Sequence, residues 1–489
     1  MTVKKTILLA IAAMLCHTLK AQDDEFRKEY DEFAQGAKTE YEDFRRKANA
    51  EYSEFIKKAW QEFKVKPAIG KPKEKEKPPV VIDDKEKAKP IMNIPLPIKE
   101  KIIPPAPEPQ PKPVAPIREQ PTPTEKWQTF SVYGTEMRVR FGEEQRFSLP
   151  SCTSEAVSEA WQKLAGSEYD NLIRDCLTIR MTNQLSDWAY LNMLHGMAEA
   201  CLGKGNEATL LMAFIYCQSG YQMRLATADG KLKMLYSTRH HIFDKAYFNI
   251  NDTDYYLYDG NEEMLAVCNL EFPREKALSL YISEPQKFAM NQSGTRTLTS
   301  ARYPDMEVKI SANKNLVDFY NDYPVSYVDE NFMTRWAIYA DTPMEKSVSD
   351  VLYPSLRSKI NGLTKKEAVE RLLNWVQTAF VYGYDDKIWG GDRAFFAEET
   401  LFYPYCDCED RSILFSRLVR DLIGLKVVLV YYPGHLASAV CFDAEVKGDY
   451  IMLDGEKFII CDATYIGAPL GRTMPGMNNE KATVILLTN

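Results

Sequence analysis

Histidine is scarce in this sequence: five in 489 residues, one of them at position 17. Any chemistry that needs imidazole must draw on His195, His240, His241 or His435 once a leader is removed. Positive charge is short as well. Lys and Arg number 61 against 69 Asp and Glu, a formal net charge of -8. Nucleic acid is therefore excluded as a partner, because it needs a basic face to neutralise phosphates. The ten cysteines are few for the length and scattered. Without Cys16 nine remain, so at least one thiol has no partner in the chain. A disulfide framework does not fit that spacing, although one or two bridges stay compatible with it. After the N-terminus there is no long apolar run, so no second membrane-spanning segment is expected.

What is present begins with a targeting pattern. "MTVKK" is a basic start, "TILLAIAAMLC" a short apolar stretch and "LKAQ" a cleavage site after Ala21. Residues 1–21 read as a secretory signal, with an uncleaved anchor as the alternative. The mature chain is expected to be exported: periplasmic, outer-membrane-associated or extracellular. Export permits disulfides.

Residues 22–66 repeat every eleven positions: Tyr30, Tyr41, Tyr52 and Phe63, with Phe33, Phe44 and Phe55 beside them. Eleven residues make three turns at ~3.67 per turn, so the aromatics would form one stripe along a helix. A single helix of about 65 Å follows from a rise of about 1.5 Å per residue. Such a stripe needs a surface to cover. Self-association, a partner protein and an envelope surface are the candidates, beside a stalk with no specific ligand. Residues 67–125 hold most of the 27 prolines, mixed with Lys and Glu. That composition favours extended polyproline II structure and reads as a semi-rigid spacer.

Residues 126–489 read as globular. Strand-like stretches such as "TFSVYGTEMRVRF", "VVLVYY" and "YIMLDGEKFIICDATY" alternate with helical ones such as "KKEAVERLLNWVQTAF". The length suits two or more domains, and the fold class expected is α+β. Thr364 and Glu367 predict a capping box. Asp454-Gly455 predicts a two-residue hairpin. A faint duplication also runs through this part. "NEATLLMAFIYCQSGYQMRL" (206–225) lies over "DRSILFSRLVRDLIGLKVVL" (410–429) without a gap, and "DYYLYDG" echoes "DYIMLDG". Two unrelated helix–strand units of similar apolar pattern are the alternative. If the repeat is real, about residues 186–260 form a degenerate copy in which Lys204 stands where the second has Cys408.

Chemistry concentrates in "YCDCEDRS" and in the helix and strands that come after it in the chain. Leu414, Phe415, Leu418, Val419, Leu422 and Ile423 sit at helical spacing, with Gly424 as a stop. Cys408 then lies at a helix start, beside Asp410, where the helix dipole favours thiolate. His435 heads a strand after a Pro-Gly turn, and Asp462 lies on a neighbouring antiparallel strand. In that order, imidazole can take the thiol proton while the carboxylate fixes its tautomer. Zinc is the competing reading, with Cys406, Cys408 and His435 as three ligands, but the C-x-C spacing and the missing fourth ligand weigh against it. A redox role for the two cysteines is a further alternative.

"DCEDRSILFSRLVRDLIGL", "GHLASAV" and "CDATY" together resemble the transglutaminase-like superfamily, whose core is related to papain-type cysteine proteases. The resemblance covers roughly residues 346–475 and includes the lead-in helix "AVERLLNWVQTAFVYGYD". It implies a core with the nucleophile at a helix N-terminus packed on an antiparallel sheet. It implies Cys408 as nucleophile, His435 as general base, Asp462 as orienting acid and Asp410 as the helix-start acid. This chain departs from the pattern at Cys406, where many relatives have Gly, at "DATY" for the commoner "DPTY", and at Leu436. Trp389, Tyr405 and the Cys408 backbone amide are the candidate oxyanion donors.

The expected organisation is a signal (1–21), a long amphipathic helix (22–66), a linker (67–125), an α+β region (126–345) and a transglutaminase-like catalytic domain (346–489). The expected activity is acyl transfer through a thioester, as amide or peptide hydrolysis on a protein or peptide substrate. No metal or organic cofactor is implied. The competing expectation is an inactive binding or scaffold protein of the cell envelope.

Overall fold

The structure is a computed structural model that describes residues 42–73, 75–106 and 124–488. The leader, the first half of the eleven-residue repeat and most of the proline-rich stretch after residue 106 lie outside these residues. Helices and strands are mixed along the chain and build two main sheets, one of six strands and one of seven.

The helix Cys408–Ile423 forms where the sequence predicts it. Asp407 is its N-cap and accepts the N–H groups of Glu409 and Asp410 at 3.0 and 3.2 Å. Asp410 answers by accepting the Asp407 N–H at 3.1 Å, which completes a capping box. Gly424 closes the helix in the left-handed conformation at φ +71°. Val427–Tyr432 and His435–Cys441 follow as an antiparallel pair across a tight turn, with Tyr432 opposite His435. Asp449–Leu453 and Glu456–Cys461 form the hairpin expected from Asp454-Gly455, whose φ angles are +49° and +87°. All six residues of Val427–Tyr432 are buried, because the helix covers one face of the sheet and a second apolar cluster the other. The Thr364–Glu367 capping box is also present ahead of the helix Lys365–Ala379.

The first sheet repeats this plan. The helix Asn206–Gln218 leads into Met223–Ala228 and Lys231–Ser237, which pair as Val427–Tyr432 and His435–Cys441 do, residue for residue at a constant offset of 204. Tyr247–Ile250 and Thr253–Leu257 match the next hairpin, and Met264–Cys268 matches Thr483–Leu486. The "DYYLYDG" echo does not survive this comparison. It would lay Thr253–Leu257 over Asp449–Leu453, yet Thr253–Leu257 takes the place of Glu456–Cys461 beside the second strand. One hydrophobic cluster also joins the two units, running from Leu211 and Phe214 to Cys408, Ile413, Leu429 and Leu436. A boundary at residue 345 is therefore not a boundary in packing.

The N-terminal segments differ from expectation. The helix that enters at residue 42 ends at 56, and Trp60–Lys64 is a strand antiparallel to Met264–Cys268. Ala48, Tyr52 and Ile56 are buried; the Tyr52 ring lies 4.7 Å from Trp161 and 5.6 Å from Phe272. This part of the stripe finds its partner within the chain. An open sheet edge then captures the next residues, because it offers backbone hydrogen bonds to an extended segment.

Residues 67–106 are likewise a strap and not a spacer. Val80–Val81 pairs with Tyr465–Ile466, Ile94–Pro95 with Asp449–Leu453, and Glu100–Ile102 with Thr483–Leu486, all in parallel. Proline is tolerated there because these are edge positions: Ile94 and Leu96 donate to the sheet at 3.3 and 2.7 Å, and Pro95 between them needs no donor. The strap covers both edges of the second sheet. Four residues link the two edges, about 17 Å of extended chain from Pro95 to Glu100, so the sheet is strongly curled.

Candidate active site

Strand register brings His435 and Asp462 together. Cys461 stands opposite Ser438, so Asp462 leaves its strand diagonally across from His435. His435 Nε2 lies 2.9 Å from Asp462 Oδ2, with both side chains buried. The other carboxylate oxygen accepts the N–H groups of Thr464 and Tyr465 at 2.8 and 3.2 Å. Gln377, from the lead-in helix, donates to the backbone carbonyls of Asp462 and Tyr465 at 3.0 and 2.8 Å. The carboxylate is thus held by backbone on one side and turned to imidazole on the other. A carboxylate on Nε2 places the proton there, which leaves the Nδ1 lone pair free. Nδ1 is buried and has no hydrogen-bond partner among the described residues.

Cys408 meets the same strand one residue further on. The Leu436 N–H points at the thiol. The Leu436 carbonyl accepts Ser412 Oγ at 2.9 Å, one helical turn after Cys408. Both ends of one strand residue therefore dock the first turn of the helix. Asp410 is structural: beyond the cap, its second oxygen accepts the Phe395 N–H at 2.8 Å.

The electrostatics reverse one expectation. The Cys408 thiol is pushed well above its ordinary range, first by burial and then by Asp407, Glu409 and Glu76; only the Leu436 N–H pulls the other way. Burial first, and then the carboxylates, oppose the helix start, which favours thiolate. Burial also raises Asp407 and Glu409, and Asp385 to about 7. Cys406 is pushed up to about 11 by burial. Its sulfur faces the Val381 carbonyl at 3.9 Å and it does not line the cleft, so the zinc ligands considered from sequence do not converge.

A cavity of about 480 Å³ lies over Cys408 and His435. One wall is the strap, through Pro72, Lys75, Glu76 and Pro78. The Glu76 carboxylate takes the Tyr382 hydroxyl. Lys77 N–H donates to the Gly434 carbonyl at 2.8 Å, and a Cβ on Gly434 would stand 2.3 Å from the Lys75 carbonyl oxygen. Glycine is required at that turn both for this approach and for φ +77°. The opposite wall is Trp336, stacked on Tyr431 at 5.2 Å, with its Nε1 donating to Glu409 at 2.6 Å. Trp389 and Tyr405 do not line the cavity. Trp389 packs on Phe395 and Tyr403 instead. Sequence reasoning missed Trp336 and Glu76, which lie outside the motif-bearing stretch.

Among the described residues two acidic groups converge closely enough to hold a cation: Glu76, Asp407 and Cys408, and Asp385, Asp392 and Glu409. The second is engaged by protein donors, since Asp385 accepts the Arg393 N–H at 2.6 Å, Asp392 pairs with Arg335 at 2.9 Å, and Glu409 holds Trp336. No family model, no curated protein and no solved structure matches this chain.

Proposed function

We propose that this is an exported, transglutaminase-like cysteine enzyme that transfers acyl groups through a thioester on Cys408, with hydrolysis of an amide or peptide as the net reaction. The observation that carries the reading is His435. Its Nε2 is bound to Asp462 at 2.9 Å and its Nδ1 is unpartnered, in the cleft that Cys408 lines. The thiol is not hydrogen-bonded to Nδ1 in the structure; as it closes on the ring, His435 Nδ1 takes its proton and sulfur attacks the carbonyl carbon. The backbone N–H of Cys408, at the first helical position and without an intrahelical acceptor, faces the developing oxyanion. The imidazolium then protonates the leaving amine, and the thioester forms. Water, deprotonated by His435, attacks the thioester and restores the thiol. An amine in place of water would give a crosslink.

A second reading has its own support. Glu76 covers the thiol and raises it, as in a cleft that only binds. A thiol-directed acyl probe, followed by a peptide-ester and glutamine-amide screen, separates the two. Wild type labels and turns over while Cys408→Ala does neither if the enzyme reading holds. If both proteins ignore probe and substrates alike, with the strap intact and with it cut, the binding reading replaces it.

A further inference from the structure

The repeated fold makes a second cleft. The two-residue turns Asp229-Gly230 and Pro433-Gly434 coincide, and so do the strands on either side of them, so Lys231 occupies the place of His435. At the same offset Lys204 aligns with Cys408, although it lies before the N-cap Gly205 of the helix Asn206–Gln218, whereas Cys408 is the first residue of its helix. In the third ladder the Tyr258 N–H donates to the Met234 carbonyl at 2.9 Å, as the pairing of Cys461 with Ser438 requires. Asp259 therefore stands where the second unit has Asp462. Lys204, Lys231 and Asp259 all line one open cavity of about 1290 Å³. The acid of the triad is kept, while both the nucleophile and the base have become lysine.

We propose that this first-unit cleft is a non-catalytic site that binds acidic peptide segments, with Lys204 and Lys231 receiving the carboxylates. Among the described residues neither lysine side chain has a hydrogen-bond or ion-pair partner, and both residues are exposed. Four acids and four lysines line the cavity; of the acids, Glu207 accepts the Leu149 N–H at 2.7 Å and Glu199 lies 3.4 Å from His195 Nε2. The wall is aromatic and pre-set. Trp188 donates to the Asp322 carbonyl at 3.1 Å, and Asn192 ties Tyr258 to Tyr133 through bonds of 3.0 and 2.8 Å. The cavity exceeds the ~300–1,000 Å³ of an ordinary small-ligand pocket, which suits an extended peptide. Recognition here does not depend on the chemistry at Cys408.

The test is fluorescence anisotropy on the full chain with a labelled Gly/Glu decapeptide and its Gly/Gln, C-terminally amidated counterpart. The Glu peptide should bind at least tenfold more tightly, and less so as salt rises. Lys204→Gln and Lys231→Gln should each weaken it about fivefold, and Lys204→Glu with Lys231→Glu about twentyfold or more. Thermal unfolding should not change, because both side chains are exposed. Cys408→Ala should bind as wild type does, which separates this cleft from the other. Equal affinity for the two peptides, no binding of the Glu peptide, or indifference to both the Gln and the Glu substitutions would overturn the proposal.

Discussion

The carboxylate of Glu76 and the thiol of Cys408 lie within 4.8 Å of each other, together with Asp407. They are brought together by a proline-rich strap that runs along the curled sheet and over the His435 turn. Burial, Asp407 and Glu409 push the thiol up, and Glu76 from the strap adds to them, so the nucleophile depends on its base.

Glu76→Gln should lower the thiol's apparent pKa by at least about half a pH unit, because a negative charge next to a thiol raises it. Glutamine keeps an oxygen for the Tyr382 hydroxyl, so the strap should stay docked. Iodoacetamide labelling against pH, mapped to Cys408, reads the shift. Superimposable profiles for variant and wild type would remove Glu76 from the account.

Asp462→Asn should cost about 10²-fold or more in turnover, since an amide facing Nε2 favours the wrong tautomer. The sequence alone suggests a partly exposed carboxylate and a neutral effect on stability. Asp462 is in fact buried and accepts two backbone N–H groups. A stability loss of about 1–3 kcal/mol is therefore expected alongside. Denaturant unfolding and kinetics on one preparation check both, and an Asn variant with wild-type turnover contradicts the orienting role.

Stability should fall from mildly acidic to neutral pH. Burial pushes the Glu398 carboxyl from 4.5 up to about 7. A folded-state value above the unfolded one favours the protonated folded form. That contribution is fully present below the unfolded value and is lost as pH rises through about 7. Glu398→Gln should flatten the decline between pH 5 and 8 by about 1–3 kcal/mol. Thermal unfolding across that range measures it; a parallel decline in both proteins would assign the trend to other groups.

Tyr52→Ala should destabilise the whole protein by about 3–5 kcal/mol, as truncation of a buried aromatic does. Tyr52→Phe should be neutral or mildly stabilising, because the buried hydroxyl has no hydrogen-bond partner. Chemical denaturation distinguishes this from a detachable stalk, for which neither change would move the transition.

The sequence by itself determined what neighbours within a few residues determine. The Thr364–Glu367 box, the Gly424 stop, the Asp454-Gly455 hairpin and the helix start at Cys408 are local hydrogen-bond and backbone choices, and they are where the pattern puts them. The repeat was legible in its helix and first strand, because apolar spacing carries over without a gap. It failed at "DYYLYDG", because strand order is a non-local property that a matching heptapeptide cannot report. Only the tertiary structure decided the fate of residues 42–106. A proline-rich segment is extended whether free or docked, and an aromatic stripe is equally suited to another chain or to its own core. What decides both is the presence of open sheet edges and of Trp161 and Phe272 far along the chain. The thiol's charge state was illegible for the same reason: its nearest sequence neighbours are Asp407 and Glu409, but Glu76 reaches it only when the sheet has curled and the strap has closed over it.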